Sequence, residues 1–152
     1  MISCVRSFVL VLTIILTTSC IQRASGPMDM AGEYIYHFPS GEMEVLVLRT
    51  DMTYLHEFYS SVSDYKKNSL PLYGFTKKWS CKNGLLTLDD WMLFYDFSSG
   101  AVSKSRMPPD KCVSMSGQWV EPTHDSDAVI LFGEDIGYNF LRVKSRNDVP
   151  DL

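Results

Sequence analysis

With 152 residues, 45% hydrophobic and 21% charged, the chain can bury one core but not two comfortable ones, and it falls outside the disordered and low-complexity classes. A formal net charge of −4 without a Lys/Arg cluster gives no electrostatic reason to expect nucleic acid or anionic lipid as a partner.

The chain opens with MISCVRSFVLVLTIILTTSC. One basic residue, Arg6, precedes an apolar run over 8–16, and small and hydroxylated residues follow, which is the order of a secretory signal. A membrane-spanning helix needs about 20 predominantly apolar residues. This run is far shorter, so residues 1–19 are expected to be a cleaved signal peptide. Thr18 and Ser19 ahead of Cys20 resemble the lipobox of bacterial lipoproteins, with the usual leucine shifted back to Leu16 and Thr17 in its place. The resemblance implies a diacylglyceryl thioether on Cys20; the alternative is an ordinary signal cut near Ser19 or Ala24. Acyl chains on Cys20 would anchor the domain to the membrane, each buried methylene adding about 0.8 kcal/mol. Ile21 stands where a retention aspartate would hold such a lipoprotein in the inner membrane. In a Gram-negative cell the resemblance therefore implies the periplasmic face of the outer membrane.

Residues 20–30 read as a lipidated tether, because IQRASGPMDM has no sustained apolar period and contains a Gly-Pro pair. A β domain is expected over 31–146 and a C-terminal tail over 147–152. Short β-like runs cover 34–38, 45–48 and 53–59, broken by Pro39, Ser40 and Gly41 and by Thr50 and Asp51. Connections this short join only antiparallel neighbours. After a polar loop at 60–72, a run over 73–81 leads through Asn83-Gly84, a strong hairpin signal, into 85–88. The stretch WMLFYDF, 91–97, reads equally as strand or one helical turn, and 98–110 is loop-like. Further strands are expected over 112–120, 127–132 and 138–143. The apolar residues occupy both parities, as in Tyr34, Ile35 and Tyr36, so alternation does not identify the inner face. About eight strands without a long helix predict an all-β, antiparallel meander that closes into a barrel or folds into a sandwich.

Gly32 and Tyr34, then Leu46, Leu48, Asp51, Thr53 and Tyr54, then Trp79 with Leu86 and Leu88 across the Asn83-Gly84 turn, resemble the small lipocalin-like β-barrel domains of bacterial lipoproteins. The resemblance covers about the first half of the mature domain. It implies a small barrel, with Arg142 in the last strand lying over the Tyr34 ring, a contact of about 0.5–2 kcal/mol; a surface arginine is the alternative. Met52 stands where such sequences carry glycine, which argues against a positive-φ turn there.

No catalytic or metal site is expected. His37, His56 and His124 are scattered, and each reads as a surface or satisfied core histidine, since zinc needs three or four converging donors. Asp89 and Asp90 would face opposite ways in a strand, and nucleophile-elbow and phosphate-loop patterns are absent. No cofactor is expected. Cys81 and Cys112 are the cysteines of the domain proper and, in an oxidising compartment, a candidate disulfide; two separate buried thiols are the alternative. Eight tyrosines, eight phenylalanines and three tryptophans suit either a filled barrel core or a cavity for one small ligand. The expected function is non-enzymatic binding of a small apolar or amphipathic ligand by an exported lipoprotein. The alternative is an envelope protein-interaction or inhibitor/immunity-type module with a solid barrel. In both, the loops at 60–72 and 97–111 are the expected contact segments.

Overall fold

In the computed structural model the described residues are 27–82, 85–102, 112–120, 128–131 and 138–150. The strands are β1 (Gly32–His37), β2 (Met43–Leu48), β3 (Thr53–Tyr59), β4 (Tyr73–Lys82), β5 (Leu85–Met92), β6 (Tyr95–Asp96), β7 (Ala101–Val102), β8 (Cys112–Val120), β9 (Ala128–Leu131) and β10 (Asn139–Val143). Eight of them form a closed antiparallel barrel in the order β1-β10-β9-β8-β5-β4-β3-β2, and β6 and β7 pair only with each other. Closure is made where Tyr34 of β1 lies opposite Arg142 of β10. A barrel leaves no exposed strand edge, and that resolves the choice against a sandwich.

The pairing register gives the barrel two distinct ends. Gly32, the β2–β3 turn, the β4–β5 turn and the end of β10 lie at one end, which we call the termini end. The β1–β2 turn, the 60–72 connection, β6–β7 and the start of β10 lie at the other, the mouth.

Burial on both parities has a simple cause. Tyr34, Phe38, Leu46, Leu48, Tyr54, Phe58, Trp79, Leu86, Leu88, Trp91, Val129 and Phe140 belong to the main, interior core. Ile35, Met43, Val45 and Tyr59, one position out of step, form a second cluster with Val62, Tyr65 and Val149. The cover over that outer cluster is a short helix, α2 (Val62–Lys66), together with a 3-10 turn (Arg146–Asp148). β2 is consequently buried at every position except Val47.

Several expectations change at the boundaries. The last residues of the expected tether form a helical turn, α1 (Pro27–Met30), with Met30 buried. Arg142 donates to the carbonyls of Asp29 and Ala31 and lies 5.8 Å from the Tyr34 ring centroid. Gly32 permits this approach, since a Cβ there would sit 2.6 Å from Arg142 Nε. Val149, inside the expected tail, is part of the outer cluster. The 60–72 segment contains α2. Met52 adopts φ 64, which corrects the argument from its lack of glycine. The Asp51 carboxylate accepts from the Thr53 amide at 2.9 Å and from its hydroxyl, while the Trp79 amide donates to the Met52 carbonyl at 2.9 Å, so local hydrogen bonds offset the left-handed cost.

The Cys81–Cys112 disulfide is corrected by the register. Cys81 lies opposite Leu86, and Leu86 lies opposite Gly117, whereas Cys112 lies opposite Met92. The two cysteines are thus next-but-one strands apart and offset by several residues. At about 3.3 Å per residue and about 4.8 Å per strand, that separation far exceeds the ~7 Å a disulfide spans.

Candidate functional site

The described interior holds a polar node below the mouth. Glu44 stands between Tyr36 of β1 and Phe58 of β3, and His56 stands between Leu46 of β2 and Phe75 of β4. Both are 0% exposed. His56 Nε2 lies 3.8 Å from Glu44 Oε1, and the Tyr138 hydroxyl donates to Glu44 Oε2. The His56 ring stacks on the Trp91 indole at 3.8 Å between centroids, 12° from parallel.

A local irregularity in β5 brings Trp91 to this place. Regular alternation from Leu88 would point Asp90 inward and Trp91 outward. A bulge between Leu88 and Trp91, with Asp90 at φ 51, resets the phase and turns the indole into the core. Asp89 and Asp90 therefore do not pair as an acid and base; Asp89 gives its carbonyl to the Tyr54 hydroxyl, and Asp90 binds Lys77 at 3.2 Å on the surface. A groove of about 420 Å³ is lined there by Thr53, Thr76, Lys77, Lys78, Asp89 and Asp90.

The node is closed on the mouth side by the segment that carries β6. Phe94 packs against Phe58 at 4.7 Å and His56 at 5.6 Å, and Tyr95 packs against Tyr138 at 4.7 Å and Tyr36 at 5.9 Å. Burial, with Glu44 close by and in hydrogen-bond contact, raises the Tyr138 phenol well above its ordinary value. Burial, then Tyr95 and Glu44, pushes the Tyr36 phenol up to about 12.

Glu44 Oε1 and both ring nitrogens of His56 are buried without a hydrogen-bond partner among the described residues, and Trp91 Nε1 faces the Tyr138 hydroxyl outside good hydrogen-bond geometry. Each such group costs about 1–3 kcal/mol when nothing replaces water. His56 is thus a core histidine, but an unsatisfied one, contrary to the expectation of a satisfied core position. His37 lies on the outer parity of β1, and partial burial lowers its pKa. His124 and Cys20 lie outside the described residues. Among the described residues no group of three or more His, Cys, Asp or Glu is arranged to hold a metal, and no helix is long and apolar enough to cross a membrane.

The two segments expected to make contacts open at the same end of the barrel. Leu70 and Leu72 are 93% and 56% exposed and Phe97 is 46% exposed; of the second segment, residues 103–111 lie outside the described residues. Sequence reasoning missed the node, although its signal was present. Glu44 is a charge inside the apolar run MEVLVL, in phase with Leu46 and Leu48, and His56 is in phase with Tyr54 and Phe58. No family model, curated protein or solved structure matches the chain.

Proposed function

We propose that this protein is an exported, lipid-anchored, non-enzymatic lipocalin-like module that binds a small amphipathic ligand in its barrel. One observation carries the reading: groups of Glu44 and His56 that lack hydrogen-bond partners converge with the poorly satisfied Trp91 indole, walled by aromatic rings, directly beneath the mouth. Buried polar groups in proteins are ordinarily satisfied, and a few convergent polar groups among apolar walls are what small-molecule sites present. The anchor fits this arrangement. Arg142 holds Pro27–Met30 at the termini end, and the short chain from Cys20 to Pro27 reaches at most about 25 Å. A lipid on Cys20 keeps that end toward the membrane and the mouth away from it.

Native mass measurement of the extracted protein tests the reading. A stoichiometric small molecule is expected, and Cys20→Ser should remove an acyl-sized mass increment and release the protein from the membrane fraction. A wild-type protein that is soluble with its first residue elsewhere would sink the anchor. A second reading, a protein-interaction module with a solid barrel, is favoured by the exposed Leu70, Leu72 and Phe97 at the mouth; it predicts a co-purifying protein and no bound small molecule.

A further inference from the structure

The node has a hydrogen-bonding polarity that restricts what it can receive. As a carboxylate Glu44 offers acceptors only, and one of its oxygens already takes the Tyr138 hydroxyl. The Trp91 indole can only donate, and toward the Tyr138 hydroxyl it does so in poor geometry. His56 lies between them, its ring stacked on the indole and its Nε2 facing Glu44, and in its neutral form it contributes one donor and one acceptor. An acceptor and a donor that both border His56, all on side chains with 0% exposure, are satisfied together by one group that both donates and accepts. A carboxylate brings no donor and adds a second negative charge beside Glu44. An ammonium brings no acceptor and leaves Trp91 unsatisfied.

Resting on the reading of the barrel as a ligand-binding module, we propose that the node takes the hydroxyl of a neutral, apolar-bodied alcohol, which donates to Glu44 and accepts from Trp91. The apolar body occupies the position of Phe94 and Tyr95. Those two side chains belong to a segment whose strands have two residues each and pair only with one another. Isolated two-stranded hairpins are marginal, so this stopper is the part of the interior that yields without opening the barrel ladder.

The test titrates the full-length protein in detergent with 1-octanol, octanoate and octylammonium, following the Trp91 indole N–H resonance against a micelle blank. The resonance is assigned by its loss in Trp91→Phe. Octanol should shift it saturably and bind at least about tenfold tighter than octanoate, the ratio expected when one buried group is left unpaired. Glu44→Gln, which keeps an acceptor for Tyr138 but removes the charge, should reduce that ratio below about threefold. Tighter binding of octylammonium than of octanol would overturn the hydroxyl assignment. Equal binding of all three would place the ligand away from the node while leaving the ligand-binding reading intact. Absence of any saturable shift, with no small molecule in the native mass, would overturn both and leave the node to water alone.

Discussion

On the outer side of β1, β2 and β3, Tyr59 donates to Glu57 at 2.9 Å, Tyr65 donates to Glu33, and Arg146 lies 4.6 Å over the Tyr65 ring. On the inner side of the same strands, Glu44 and His56 are equally buried, yet one carboxylate oxygen and both imidazole nitrogens lack partners. The outer cluster is apolar contact with the Tyr59 and Tyr65 hydroxyls tied off at its rim, although His37 on the same parity of β1 leaves both ring nitrogens without a hydrogen-bond partner. The inner face of these strands departs from that pattern below the mouth. Strained or unsatisfied groups persist where the surrounding structure holds them for another purpose. Glu44, His56 and Trp91 contact one another on the inner face, and that convergence is what separates a candidate site from an imperfect core.

The largest expected effect comes from alkali, because raised phenols lie on both sides. Tyr36 and Tyr59 are each pushed up to about 12, by burial first and then by Tyr95 and Glu44 for Tyr36 and by Glu57 for Tyr59. Tyr65 and Tyr138 are raised further, again by burial first, helped by Glu33 and Glu44. The folded protein therefore holds these protons more tightly than the unfolded chain, whose tyrosines ionise near pH 10. Their contribution is complete below about pH 10 and is lost as pH rises through the folded values. Urea midpoints should fall steeply above about pH 10, and phenolate absorbance should appear with unfolding rather than before it. If Tyr138 ionised in the folded protein in step with free tyrosine, the inner side would be open to water and the contrast would fail.

Removing the outer cover should cost next most. Tyr65→Ala deletes a buried ring that packs on Tyr59 at 5.5 Å, and the expected loss is about 3–5 kcal/mol in urea unfolding. Glu44→Gln tests the inner side and should cost less. It retains an acceptor for Tyr138 at nearly the same shape, so the expected loss is about 1 kcal/mol. A loss as large as that of Tyr65→Ala would mean that Glu44 is a structural member of the core and would erase the distinction between the two regions.

Much of this architecture was legible in the chain, and the part that was not has identifiable physical causes. Strand positions followed from turn chemistry: Pro39-Ser40-Gly41, Asp51 and the short link between Lys82 and Leu85 each punctuate the ladder where the sequence placed them. The inner face was hidden because α2 and Val149 bury the outer parity as well, and neither announces itself as a sheet-covering element in a polar stretch. The node was hidden by the bulge at Asp90, since no alternation rule brings Trp91 into the core together with Leu88. The cysteines misled for a related reason. Strand ends looked like neighbouring positions in sequence, but Cys81 lies at the termini end and Cys112 opens β8 at the mouth end.

The smallest expected effect concerns how α2 stays over the outer cluster. Ser61 is extended, at φ −163 and ψ 161, and its hydroxyl oxygen accepts from the Asp64 amide at 3.1 Å. Ser60 and Ser61 both donate hydroxyls to Asp64 Oδ2, which holds that carboxyl below its usual range. The serine at the cap and the acid three residues on thus satisfy one another, and a helix of only five residues has little propagation to stabilise it otherwise. Ser61→Ala should cost about 1 kcal/mol. The stabilisation drawn from the lowered Asp64 carboxyl is present above its ordinary value near pH 4 and is lost as pH falls through the depressed one, so the wild type should lose more than the variant on acidification. Amide exchange should quicken over 62–67 and leave β4 and β5 unchanged, because the cap supports only the outer cover. Equal quickening in β5 would show that the two sides of the sheet open as one unit, and the division between a stability core and a site-bearing interior would have to be abandoned.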